Sequence, residues 1–199
     1  LKADGADVVK VFASASIRDG GGRMLSNAQI TAACEEGKTQ ELRVAVHAYG
    51  SQVVSHAARA GCTSIEHGNR YDVDTVEILA EHGTYLDPHL GLLYDNYEEH
   101  RDQFIGLENY TAEGFALMAE ARRRGFVTFS RTLQNPDVQI IFGTDAVAGA
   151  HGRNFDEFIA RVENGGQNPM DAITSATSRA ARALGLSENI GQIASGFGA

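Results

Sequence analysis

Residues 42–67 read LRVAVHAYGSQVVSHAARAGCTSIEH, and this stretch decides the fold. Leu42 to His47 is a β-branched apolar run of strand length, and Thr63 to His67 is a second. Between them, residues 51–60 have the spacing of an amphipathic helix, closed by Gly61. A strand followed by a crossover helix returns in the same direction, so the two strands lie parallel.

The same alternation extends both ways. Upstream, Val8 to Ala13 predicts a strand, and after a Gly-rich loop Ser26 predicts the N-cap of a helix over about 27–37. Downstream follow a helix over about 73–81 stopped at Gly83, a short strand over 84–88, a strand over 138–145, and helices over about 155–163 and 169–184. The strands are nearly continuous apolar runs, as strands covered on both faces are. The fold class is therefore α/β. One interval breaks the rhythm: amphipathic segments over about 94–104 and 111–124 predict a helical insertion spanning about 90–135.

The chain has 199 residues, 43% hydrophobic and 22% charged, which is the composition of a folded globular domain rather than a disordered one. With 26 acidic against 17 basic residues, the net charge of −9 argues against a nucleic-acid or anionic-membrane partner. The one dense basic run, Arg122-Arg123-Arg124, falls at the expected end of a helix, where cations favour the dipole. No apolar run reaches the ~18 residues of a membrane span. Cys34 and Cys62 form no CxxC pair and predict buried reduced thiols, hence a cytoplasmic setting. The opening residues, Leu1 to Asp7, read as a helix end running into a strand, so the chain is expected to begin within the fold.

Four residues that apolar strands avoid sit in or at the ends of these runs: Lys10, His47, His67 and Asp145. In a parallel α/β fold the C-terminal strand ends face the ligand site, so polar groups there converge. Singly, each has a plain explanation, a histidine as a satisfied core residue and Lys10 as a side chain reaching the rim. Together, two histidines and an aspartate make a metal-ligand set. A strand lysine is useful as a Schiff base with a carbonyl substrate, or as a carbamate that becomes an anionic bridging ligand. Neighbouring metal cations would oppose a retained ammonium, which favours the carbamate.

In the loop after the last strand, His151 and Arg153 are candidates for a substrate carboxylate, Arg153 by a bidentate pair, against the alternative of an exposed loop with a helix N-cap at Asn154. Strand alternation sets Glu66 on the face opposite His67, as a helix-side or supporting group. His56 and His82 are read as helix-surface or packing residues, and His89 and His100 as part of the insertion, with His89 facing the site as the lesser alternative.

Four ordered motifs, Gly5-Ala6-Asp7-Val8-Val9-Lys10-Val11-Phe12-Ala13-Ser14, Val46-His47-Ala48, Ser64-Ile65-Glu66-His67-Gly68 and Phe142-Gly143-Thr144-Asp145-Ala146, resemble the metal-dependent amidohydrolase superfamily, in particular its imidazolonepropionase-like and prolidase-like branch. The resemblance implies a TIM-type (β/α)8 barrel, with strands four to eight over 1–190 and a turn back toward a small β-sandwich domain starting at 191–199. It implies that a carboxylated Lys10 bridges two divalent metals, usually zinc, that His47 and His67 bind one, and that Asp145 binds the other. Asp145 would then take a proton from the attacking water and pass it to the leaving nitrogen. Tyr94 resembles a superfamily tyrosine near the substrate carbonyl, its alternative being an aromatic of the insertion core.

The superfamily's first-strand His-x-His pair has no counterpart, since no histidine precedes His47. That predicts an internal part of a larger hydrolase, or a truncated gene product. The expected substrate is a small molecule of dipeptide or N-acyl amino acid type, cut at its carbon–nitrogen bond. A homo-oligomer is expected, because missing strands would leave a sheet edge open. Two other readings stay open: a catalytically incomplete metal-binding fragment, and a Schiff-base lyase using Lys10.

Overall fold

In a computed structural model, which describes residues 1–198, five strands are laid side by side in the order of the sequence. They are β1 (Val8–Phe12), β2 (Arg43–Ala48), β3 (Ser64–His67), β4 (Tyr85–Asp87) and β5 (Gln139–Ile140), and every neighbouring pair is parallel. An order that never reverses is that of a barrel arc, whereas doubly wound sheets reverse at a switch point.

Helices α1 (Asn27–Thr39), α2 (Ser51–Arg59) and α3 (Val73–His82) follow the first three strands. Ser26 starts α1 with a capping box: its hydroxyl accepts from the Gln29 N–H while the Gln29 side chain accepts from the Ser26 N–H. Asp72 caps α3, and Gly83 ends it in the left-handed conformation at φ 61°. Val44, Val46 and Ala48 of β2, Ile65 of β3, Leu86 of β4 and Ile140 of β5 pack with Val53, Val54 and Leu79 in one buried core on the helix side. Alternation along β2 leaves Arg43, Ala45 and His47 for the inner face of the arc.

Between β4 and β5 run α4 (Leu92–Glu99), α5 (Arg101–Phe104) and α6 (Ala112–Thr132). The expectation that a helix ends near Arg124 is corrected: the apolar stripe continues through Phe126 and Phe129 into the core, so the helix continues too. The three arginines are thus mid-helix, with Arg122 paired to Asp95 and both Arg123 and Arg124 paired to Glu120. The strand expected over 138–145 shortens to Gln139–Ile140, since beyond the Ile141 N–H bond to Leu86 the chain leaves the ladder. The helix expected over 155–163 is α7 (Phe155–Ile159) widening into a π-turn over Ala160–Asn164. The helix over 169–184 breaks at Thr177 into α8 (Pro169–Ala176) and α9 (Ser178–Leu184). Residues 191–198 form bends and turns without a strand partner among the described residues, and residue 199 lies outside them. No helix among the described residues is long and apolar enough to cross a membrane.

The expectation of reduced thiols is also corrected. Cys34 on α1 and Cys62 in the turn before β3 are buried and bonded to each other, with Cα atoms 5.0 Å apart. Residue spacing alone does not show this, because packing of α1 beside the turn after α2 brings the two together. The bond spans a sequence separation of 28. Its reduction is expected to lower the unfolding free energy by about 3–4 kcal/mol, through the loop entropy returned to the unfolded chain. Equal urea midpoints with and without reductant would show that the sulfurs are not joined.

Candidate active site

The C-terminal ends of the strands carry the side chains of interest, and backbone conformation decides which way two of them face. His47 closes β2 on the inner face, in register with Phe12 of β1. His67 pairs with Ala48, whose side chain is in the helix-side core, so plain alternation would bury His67 there too. Instead His67 adopts φ 68°, a left-handed conformation uncommon for a residue with a Cβ, and its ring turns inward. Its centroid lies 4.6 Å from that of His47 and 4.6 Å from that of His89. Asp145 also holds a positive φ, 45°. Strain of this kind, about 1–3 kcal/mol per residue, persists where surrounding structure imposes it and concentrates at functional sites.

The placement of Glu66 is corrected as well, since alternation from Ile65 in the helix-side core sets it on the inner face. Glu66 and His67 both reach the inner side: Glu66 Oε1 accepts from Ser64 Oγ at 2.5 Å, and Oε2 lies 3.9 Å from His89 Nε2. His89, which the sequence reading assigned to the insertion, is buried at the centre of this cluster. Its Nδ1 faces His67 Nδ1 at 3.0 Å, and its Nε2 lies 3.2 Å from Asp87 Oδ2. The signal for it was the spacing in Asp87-Pro88-His89, which sets both polar side chains just beyond a strand end.

Burial, and then the positive charge that His89, His47 and Lys10 can carry nearby, hold His67 well below the usual imidazole range, which favours its neutral, ligand-type form. Burial likewise lowers His47, although a hydrogen bond to the Ala15 carbonyl opposes it. For His89 burial also works downward, but the Asp87 carboxylate and its hydrogen bond outweigh burial and raise the imidazole. Burial and the adjacent Asp87 carboxylate raise Glu66.

Donor atoms of His67, His89 and Asp145 lie within 4.8 Å of one another, as do those of Glu66, Asp87 and His89. Two buried imidazoles and a carboxylate are a donor set that fits a divalent ion of the zinc type. His47 stands beside this group and Lys10 lines the same cavity, of about 370 Å³, together with Phe12, Tyr94 and Asp145. Lys10 is exposed on β1, its Nζ 5.9 Å from the centroid of the Phe12 ring. The buried Tyr94 hydroxyl accepts from Asn69 Nδ2 at 3.2 Å, and burial pushes its pKa up to about 12. His151 is exposed and outside the cavity lining. The structure does not bring Arg153 to the cavity either, because its guanidinium is held by Glu99 at 2.6 Å and Asp156 at 3.0 Å. Asn154 stands at the start of α7, where its Oδ1 accepts from Thr144 Oγ1 instead of capping. His56 packs α2 on α1, its Nε2 3.0 Å from both Thr31 Oγ1 and the Asn27 carbonyl.

Beneath the cluster lies a fully buried ion-pair network. Glu157, on α7, accepts from the N–H groups of Leu90, Gly91 and Leu92 at 2.8–3.0 Å, and so supplies the anion at the N-terminus of α4. Arg161, on the π-turn, donates to Glu157, to Asp87 and to the Ile141 and Gly143 carbonyls. Gly143 has to be glycine, because a Cβ there would overlap the Asp87 carboxylate. Arg161→Met removes the cation shared by two buried carboxylates and is expected to lower stability by about 3–5 kcal/mol in urea unfolding. A loss under about 1 kcal/mol would show that the network is solvated.

A sequence profile of the amidohydrolase family matches residues 2–199. The chain is 28% identical over 200 residues to an ochratoxinase of Aspergillus niger, a match covering 97% of this chain and 39% of that one. Among solved structures, a Xaa-Pro dipeptidase with bound methionine in its active site superposes with a TM-score of 0.85 at 31% identity, covering 98% of this chain and 48% of the other. A prolidase complexed with N-methylphosphonate-L-proline superposes with a TM-score of 0.85 at 28% identity, covering 98% and 47%. The chain thus spans 39% to 48% of the length of these relatives.

Proposed function

The chain belongs to the amidohydrolase family, and from that premise we propose that it is a metal-dependent hydrolase of a carbon–nitrogen amide bond in a dipeptide or an N-acyl amino acid. The observation that carries the reading is the convergence of His47, His67 and Asp145 in one cavity at the C-terminal ends of parallel strands, with His89 packed against His67 behind them. The solved relatives support it, since one is a Xaa-Pro dipeptidase with methionine in its active site and another a prolidase with a proline phosphonate.

In this reading His47, His67 and Asp145 would hold divalent metal, zinc by preference, and Lys10, as a carbamate, would supply a further anionic ligand. His89 either joins them or, through its bond to Asp87, fixes the orientation of the His67 ring. A divalent metal bound there lowers the pKa of water toward about 7 and polarises the scissile carbonyl. Asp145, exposed at the cavity, receives the proton of the attacking water on a carboxylate oxygen and returns it to the departing nitrogen. Tyr94 keeps its phenolic proton and, because Asn69 already occupies its oxygen as donor, has that proton free for a substrate oxygen. Arg153 would reach a substrate only by leaving Glu99 and Asp156, so it takes no part.

Metal-loaded protein is expected to cleave Xaa-Pro dipeptides or N-acyl amino acids, to lose that activity to a chelator and to regain it with zinc. Asp145→Asn is expected to reduce kcat by about 10²–10⁴-fold with an unchanged circular-dichroism spectrum. Hydrolysis that survives both chelation and Asp145→Asn would falsify the assignment.

A further inference from the structure

The cavity that holds His47, His67 and Asp145 is also lined by Arg18, carried on the short 3-10 turn Ile17–Asp19 that follows β1. Ser16 caps that turn by accepting from the Arg18 N–H at 3.2 Å. Arg18 is fixed from two sides. Its guanidinium carbon lies 4.1 Å from the Tyr110 ring centroid and 5.5 Å from that of Tyr97, and its Nε donates to Asn109 Oδ1 at 2.9 Å. Asn109 in turn donates to Asp19 Oδ2 at 2.7 Å, which sets which end of its amide faces the arginine.

What Arg18 lacks is an anion. Arg122, Arg153 and Arg161 each hold a carboxylate, whereas among the described residues none lies within ion-pair distance of Arg18. Its terminal Nη1 and Nη2 have no acceptor there either. A guanidinium that is stacked, held at Nε and left with an open fork is preorganised for a planar bidentate anion. The same cavity presents Ile17, Met24, Leu93 and Met118, an apolar lining that suits an uncharged side chain.

We propose that Arg18 anchors the α-carboxylate of the substrate, so that the cavity takes the carboxyl-terminal residue of an amide substrate with a free carboxylate and an apolar side chain. The proposal rests on the hydrolase reading above and names its substrate class. It also moves the carboxylate contact from the loop after the last strand, where Arg153 is already paired, to the turn after β1. In that reading Lys10 becomes an anion, and Arg18 is then the one cation of the cavity lining. Aromatic stacking and the Asn109 bond hold the fork before substrate arrives, so little side-chain freedom is lost on binding.

The test is equilibrium binding by calorimetry of L-methionine and L-methioninamide, which differ in the charge of the carboxyl group, to the metal-loaded protein. Wild type is expected to bind the acid at least about tenfold more tightly than the amide, as a charge-assisted pair requires. Arg18→Met is expected to erase that preference by weakening the acid alone, and Arg18→Lys to retain part of it. If Arg18→Met does not fold in a thermal melt, Arg18→Gln carries the same test. Absence of a preference in wild type, an unchanged preference in Arg18→Met or Arg18→Gln, or equal weakening of both ligands would overturn the proposal. Retained preference in a protein that hydrolyses no amide would instead overturn the hydrolase reading and leave the anchor standing.

Discussion

Arg161 ties together the parts of the molecule on which the site depends. With none of its surface exposed, its guanidinium reaches Glu157 four residues earlier, Asp87 at the end of β4, and two carbonyls of the segment leading to Asp145. A cation this deeply placed is tolerated only because two carboxylates and two carbonyls surround it. Their arrangement fixes three things at once: the end of β4, the start of α4 through Glu157, and the path of the chain from Ile141 to Gly143. The ladder of β5 is only two residues long, so side-chain bonds rather than strand pairing hold the approach to Asp145.

From that base the electrostatics of the cavity follow in layers. Arg161 and His89 hold Asp87 below the usual carboxylate range although burial pushes the other way, and Asp87 in turn raises His89. His67, one step further out, is driven down by burial and by the His89 charge beside it. The imidazole against the structural anion is therefore the one that is raised, and the next is the one that is lowered. The left-handed conformation of His67 fits the same pattern, since it lies where a regular strand would have turned its side chain away from the cavity.

Much of this was legible in the residues. The alternation of apolar runs and amphipathic segments placed all five strands within a few residues, apart from the overlong one at 138–145. Ser26 and Gly83 mark helix ends where the structure has them. Lys10, His47, His67 and Asp145 stood out because strand interiors reject them, and all four do line one cavity. His89 and Asp87 were not singled out because a polar residue just past a short strand looks like any loop residue until its neighbours are known. Arg153 looked available for the opposite reason: its partner Glu99 lies 54 residues away.

The sequence by itself determined the α/β order, the parallel sense of the strands and which side chains could carry chemistry, because periodicity and capping act between near neighbours along the chain. Only the tertiary structure decided that His67 turns inward beside Glu66, that Cys34 meets Cys62, and that the arginine of the cavity is left without an anion. Those outcomes rest on contacts such as Arg18 with Asn109, 91 residues apart, and Arg161 with Asp87, 74 apart. Whether a charged group is paired or free depends on what the fold brings within about 4 Å of it, a distance that local pattern does not encode.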